Sequence, residues 1–238
     1  MNDWETYWKE IDKTGKNGQV FWDTDAEYAS MEDLYRFRDH MDLNLPILDL
    51  GCGNGRQTRF LAKHFKRAIG VDVSPSAIQL AVSETNAEEN VVYRVFDAVD
   101  TETAQALHDE FGDINIYMRG VLHMIKRHDR ANFITSLKTL LGTRGTLYQI
   151  ELASESILHL RALPEEVFAR IPKVTRRVGF NYAERELFYP DAEWIVLAQG
   201  DGVAIRSIPL ADGKEDAMPA NYLIMRQRIT NPSEAPGE

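Results

Sequence analysis

The run LPILDLGCGNGRQTRFLAKHF, residues 45–65, constrains this chain more than any other stretch. A strand apolar but for Asp49 meets three glycines at alternate positions and passes at once into a helical pattern with Thr58, Leu61, Ala62 and Phe65 on one face. Glycine weakens strands and helices alike, so three placed this way mark backbone that turns sharply or approaches something closely. A strand, a glycine turn and a helix N-terminus also put bare backbone N–H groups and a positive dipole end at the carboxyl edge of a sheet. Open α/β sheets take their ligands there.

The pattern around this run repeats. PILDL (46–50), AIGVD (68–72), VVYRVF (91–96), INIYM (114–118) and GTLYQIEL (145–152) read as strands. Between them lie helical stretches at 56–65, after Ser74 and Pro75, near 101–111 and at 127–141, the last stopped by Gly142. Strands alternating with helices at this spacing predict a parallel sheet with helices on both faces. Further on, AEWIVLAQ reads as a short helix ending at Gly200 and Gly202, and 203–210 and 221–229 read as strands. The short connection between those two strands permits an antiparallel hairpin at the sheet edge.

Three units are expected: an aromatic-rich leader or cap at 1–44, a main domain at 45–229 carrying an inserted, mostly helical cap at 153–189, and a disordered tail at 230–238 rich in Pro, Ser, Gly and Glu. The leader is expected to be helical from about Met31 to His40.

Three ligand classes compete for the glycine loop. A phosphate-gripping loop needs Gly-Lys-Ser/Thr, where this chain has Asn54-Gly55-Arg56. The dinucleotide pattern needs a small residue at 56, which is arginine. That leaves Gly51, Gly53 and Gly55 as G-x-G-x-G, with Asp49 two residues before the first. LDLGCGNGRQT followed by GVDVS resembles motifs I and II of the class I S-adenosylmethionine-dependent methyltransferases, over roughly residues 45–150. The resemblance implies an α/β fold with a Rossmann-like seven-stranded mixed sheet, mostly parallel with an antiparallel edge hairpin.

It also implies S-adenosylmethionine as cofactor. Asp72, 21 residues after Gly51, would accept from the ribose hydroxyls, with Val73 and Ser74 beside it. Asp97, with Ala98, matches the family position that takes the adenine amino group. MRGVLHMI is similar to the family's motif IV, which lies beside the methionine part, bringing in Gly120 and Arg119, the latter either a substrate anchor or a neighbour of the cofactor's carboxylate. Asp49 and the backbone around Gly51 suit the cofactor's ammonium, and Cys52 fills space in the loop. Trp8 and Trp22 stand among five aromatic residues within 22 positions of the leader. Their faces suit a sulfonium cation on a closing flap, and they equally suit an N-terminal helix packed on the sheet domain.

Methyl transfer is largely alignment in a dry pocket, and a base is needed only where the acceptor must lose a proton early. His123, Glu151 and Tyr117, all at strand ends, are the catalytic candidates; imidazole exchanges protons near neutrality, and a histidine here can instead shape the pocket. The spacing of His, Asp and Glu suggests no metal site. The first reading is therefore methylation of a small-molecule acceptor, in the setting of specialised metabolism. A second reading closes the cofactor's own aminobutyryl moiety to azetidine-2-carboxylate, releasing methylthioadenosine. A third is a non-catalytic sensor or scaffold. With 27 basic and 37 acidic residues the net charge is −10, which argues against a nucleic-acid or anionic-lipid partner. One cysteine, no basic-apolar leader and no membrane-length apolar run point to the cytoplasm, and apolar surface on the cap or hairpin leaves room for a homodimer.

Overall fold

In a computed structural model, β1 (Ile47–Leu50), β2 (Ala68–Asp72), β3 (Val91–Val95), β4 (Asn115–Arg119) and β5 (Leu147–Leu152) lie parallel. The structure describes residues 3–15, 18–20, 22–23, 26–86, 90–165, 168, 185–209 and 215–229. Two antiparallel strands, β6 (Trp194–Pro209) and β7 (Glu215–Gln227), complete a seven-stranded sheet of order β3-β2-β1-β4-β5-β7-β6. β1, β2 and β5 are buried along their whole length, covered on both faces, and carry the buried Asp49, Asp72, Gln149 and Glu151 among their apolar residues. β3, at the sheet edge, is half open.

Two apolar layers sandwich the sheet. On one face Leu48, Ile69, Ile116 and Met118 meet α5 (Thr101–Phe111) and α6 (Arg130–Leu141) through Leu107, Phe133, Leu137 and Leu140. On the other, Ile47, Tyr117, Tyr148 and Ile150 meet α2 (Ala26–Phe37) and α3 (Arg56–Ala62) through Leu34, Phe37, Phe60 and Leu61. Each such side chain, fully buried, stabilises the fold by ~1.5–3 kcal/mol. Helix starts are set locally. The Ser74 hydroxyl accepts from the Ala77 amide at 3.1 Å to open α4 (Pro75–Ser83), and Asp100 accepts the Glu102 and Thr103 amides to open α5.

The segment AEWIVLAQ is not a helix. It begins β6, whose Trp194, Ile195 and Val196 pair with Gln227, Arg226 and Met225 of β7. A W-I-V-L run suits either element locally, and the long antiparallel partner decides it. Gly200 and Gly202, expected as helix stops, lie inside the strand. A Cβ on Gly200 would lie 2.5 Å from the Tyr222 ring, and Gly202 takes φ +67° where the register shifts between Gly200 and Val203.

The leader helix spans Ala26–Phe37 and continues as a 3₁₀ turn to His40, starting earlier than expected. A separate helix, α1 (Asp3–Lys9), packs against α4. Of the segment 153–189, the described parts are α7 (Ser156–Ala162), a short helix at Arg185–Phe188 and the residues beside them. Val167, Phe180, Tyr182 and the tail from Thr230 lie outside the described residues. Among the described residues no helix is long and apolar enough to cross a membrane.

Candidate active site

The glycine loop leaves β1 and enters α3 with Gly51, Gly53 and Gly55 all at positive φ, 78°, 53° and 74°. What crowds these glycines is the protein itself. A Cβ on Gly53 would lie 2.6 Å from the Trp8 ring, and one on Gly55 would lie 2.3 Å from the Tyr93 hydroxyl. The loop amides expected to be bare are largely used internally. Gly51 and Cys52 donate to the Val71 carbonyl, Gly53 to Asp72 Oδ2 and Gly55 to the Cys52 carbonyl. A loop that spends its N–H groups on itself is poorly built to cradle a diphosphate.

Around the loop lies a cavity of about 370 Å³, a size usual for a small ligand. Gly51, Cys52 and Gly53 form its floor, with Asp49, Asp72, Val73, Asp97 and Ala98 along the β1–β3 edge. Tyr117, Arg119, Gly120 and His123 reach it from β4 and the turn beyond. Trp4, Trp8 and Trp22 close one side. At the far end Leu152, Leu160, Ile205 and Met218 make an apolar wall from β5, α7 and the β6–β7 hairpin. Gly55, Ser74 and Glu151 stand behind the wall: Gly55 caps α3, Ser74 caps α4, and Glu151 backs His123.

Asp72 is almost fully buried, and its two oxygens accept the Gly53 and Ser74 amides at 3.0 and 2.9 Å. Burial outweighs those hydrogen bonds and raises its pKa to about 6. Asp49 accepts the Thr58 hydroxyl at 2.6 Å, and burial raises it to about 7, with Asp72 pushing the same way and Arg119 opposing. Asp97 is exposed, and its Oδ1 accepts the Val99 amide. Burial, reinforced by Asp49 and Asp72, drives the Cys52 thiol well up, so it stays protonated and unreactive.

Of the three catalytic candidates, His123 and Glu151 are brought together and Tyr117 stands apart. His123 Nδ1 lies 3.1 Å from Glu151 Oε1, and the His123 backbone N–H donates to Glu151 Oε2 at 2.9 Å. With Nδ1 assigned as the donor to Glu151, Nε2 is left as the basic nitrogen. The Tyr117 hydroxyl instead donates to Asp33 Oδ2 at 2.7 Å. Burial, with Asp33 beside it, pushes this phenol well above its usual range.

The leader contributes more than its aromatic composition indicated. Glu5 accepts the Ser74 hydroxyl at 2.6 Å, the Ser76 amide and the Ser76 hydroxyl; the Ser74 bond foremost holds its carboxyl down at about 2. Asp23 accepts from the Asn54 side-chain amide at 3.0 Å and pairs with Arg56 at 2.9 Å. Trp8 meets Trp22 edge-on at 6.2 Å. Neither Glu5, Asp23 nor Asp33 belongs to a motif. A lone acid at helical spacing inside the stripe Ala29, Ser30, Leu34, Phe37 is the one signal that could have marked Asp33.

Comparisons with known proteins agree with this geometry. The profile of a methyltransferase domain matches residues 47–145. The crystal structure of an S-adenosylmethionine-dependent methyltransferase from Anabaena variabilis is 36% identical, covers 96% of each chain and superposes with a TM-score of 0.82. A 2-heptyl-1-hydroxyquinolin-4(1H)-one methyltransferase from Mycobacteroides abscessus is 35% identical over 29% of this chain and 30% of its own length. A ubiquinone biosynthesis O-methyltransferase from Actinobacillus pleuropneumoniae is 28% identical over 58% of this chain and 62% of its own. The chain thus spans less than two thirds of the length of these two curated relatives.

Proposed function

The chain belongs to the class I S-adenosylmethionine-dependent methyltransferases, and from that premise we propose that it methylates an oxygen or nitrogen nucleophile on a small, partly apolar acceptor. The carrying observation is that His123, backed by Glu151, lines the cavity that also holds the glycine loop and the apolar wall of Leu152, Leu160, Ile205 and Met218. The substrate after which the Mycobacteroides relative is named, an alkylated hydroxyquinolinone, belongs to the acceptor class that such a wall would take. Specialised metabolism is the setting this acceptor class suits.

S-adenosylmethionine is the cofactor, and the residues present fit it. When bound, it supplies a methyl group on a sulfonium that leaves as a neutral thioether. Asp72 retains lone pairs for the ribose hydroxyls beyond the two amides it already accepts, and Asp97 is open to an adenine amine. Asp49 on β1 and Arg119 on β4 face the same cavity with opposite charge, a match for an ammonium beside a carboxylate. The indoles of Trp8 and Trp22 exclude water from that end. His123 Nε2 takes the proton from the acceptor's hydroxyl or amine as the bond to carbon forms, and Glu151 holds the ring in the tautomer that does so.

The apolar wall favours transfer over cyclisation, which needs no acceptor and would leave that wall unused; a base could serve either reaction. Incubation with S-adenosylmethionine and a panel of phenols, hydroxyquinolinones and amines tests this. S-adenosylhomocysteine formed only in the presence of an acceptor is expected. Methylthioadenosine formed from the cofactor alone would replace the reading with ring closure. The net charge of −10 argues against a nucleic-acid acceptor, and an RNA oligonucleotide in the same panel checks it.

A further inference from the structure

Asp33 lies on α2, outside every motif, yet it is wholly buried and gathers four donors from three elements. Its Oδ2 accepts the Tyr117 hydroxyl at 2.7 Å and Arg119 Nη1 at 2.9 Å. Its Oδ1 accepts the Tyr148 hydroxyl at 2.6 Å and Arg36 Nη1 at 3.0 Å. A carboxylate offers about four lone-pair positions, so Asp33 is saturated and has nothing left for a ligand. The two tyrosines stack on adjacent strands, ring centres 5.7 Å apart, which fixes the direction of both hydroxyls.

The group this arrangement serves is Arg119. Its side chain is nearly buried, with one guanidinium nitrogen held by Asp33, and it lines the cavity. A guanidinium is a planar fork, so anchoring one nitrogen sets the plane in which the others point. Asp33 is one negative charge shared by Arg119 and Arg36, and Arg36 draws further on Glu32 at 3.6 Å. Asp49 is the other acid near Arg119 and already accepts the Thr58 hydroxyl; the guanidinium keeps N–H donors beyond the one given to Asp33 and is suited to an anion.

We propose that Asp33 is the positioning residue that aims Arg119 at the carboxylate of the cofactor's amino-acid end, with Tyr117 and Tyr148 locking Asp33 in place. The proposal rests on the cofactor reading above. It moves Tyr117 from proton transfer to positioning, since its hydroxyl proton is committed to Asp33. It also makes the leader helix α2, through one buried acid, part of the machinery that selects an amino-acid-bearing nucleoside.

The test compares two ligands of the full chain by calorimetry: S-adenosylhomocysteine, which carries the carboxylate, and methylthioadenosine, which does not. In Asp33→Asn and Arg119→Met the first should weaken by about tenfold or more, while the second stays within about twofold, because only a charged hydrogen-bonded contact is lost. Tyr148→Phe and Tyr117→Phe, which keep the carboxylate and change one hydroxyl each, should show the same selective loss at about three- to fivefold. They decide the matter if Asp33→Asn does not fold. In turnover the KM for S-adenosylmethionine should rise with kcat nearly unchanged. Equal weakening of both ligands, or no weakening of either, would overturn the positioning role while leaving cofactor binding intact, as would a rise confined to the acceptor's KM. Wild-type protein that bound neither nucleoside would bring down the cofactor reading and this proposal with it.

Discussion

The cavity has two ends built on different principles. The cofactor end, over β1, β2 and β3, is made of short-range pieces: a strand, five loop residues, and an acid at the end of each neighbouring strand. The proposed acceptor end, at Leu152, Leu160, Ile205 and Met218, is assembled from a parallel strand, a short helix and a hairpin whose two strands pair antiparallel. The first is polar, internally hydrogen-bonded and intolerant of change. The second is an apolar surface whose shape depends on how distant segments meet. The difference teaches that one chain can keep a strict site for a constant ligand beside an adaptable one for a variable partner.

Substitutions can break or sharpen that contrast. The largest effect is expected at the join. His123→Ala should lower kcat by about 10²–10⁴ with S-adenosylhomocysteine affinity unchanged, and a loss of less than about tenfold in steady-state assays would remove His123 as the base. Next is the loop itself. Gly55→Ala forces a side chain into a left-handed position and against the Tyr93 hydroxyl, and should cost about 2–4 kcal/mol in urea unfolding. A neutral outcome would show that the loop tolerates change as the acceptor wall does. Asp72→Ala should weaken S-adenosylhomocysteine by about 1–3 kcal/mol in calorimetry, and unchanged affinity would take Asp72 out of the ribose role.

The cofactor end should also respond to pH. Asp72 is raised to about 6 and Asp49 to about 7, above the usual aspartate value near 3.9. Their contribution to stability is therefore fully present below about pH 4 and is lost as pH rises through 6 to 7. In the proposed roles, the ionised forms are the ones that would accept ribose hydroxyls and attract an ammonium. Affinity for S-adenosylhomocysteine should thus rise over the same window in which the ligand-free protein loses stability. The charged groups facing them are Glu5 at Asp72 and Arg119 at Asp49. Asp49→Asn should flatten the upper part of the titration, and a flat profile in the wild type would disprove the linkage. The smallest effect is expected at the acceptor wall. Ile205→Val should change acceptor KM by only a few-fold, about 0.5–1.5 kcal/mol, and leave S-adenosylhomocysteine binding alone.

The same contrast explains what could be read from the sequence. Glycine spacing, Ser74-Pro75 and the acids after β2 and β3 are local signals, and the five parallel strands fall within a residue or two of where periodicity places them. AEWIVLAQ failed because its partner, β7, lies some 30 residues on, and pairing overrode a pattern that alone suits a helix. Asp33 escaped notice for the same reason: the hydroxyls it accepts belong to residues 84 and 115 positions away. Glu5 and Asp23 look like ordinary surface acids until α4 and the glycine loop are brought against them.

Trp8 rests where Gly53 has only a hydrogen atom. Roof and floor of the cleft are consequently one contact, made between segments some 45 residues apart in the chain. Trimming or rebuilding residues 3–9 is therefore an alteration of the nucleoside's seat, and a β-carbon grafted at position 53 is an eviction of the first helix. Whoever edits either segment edits both.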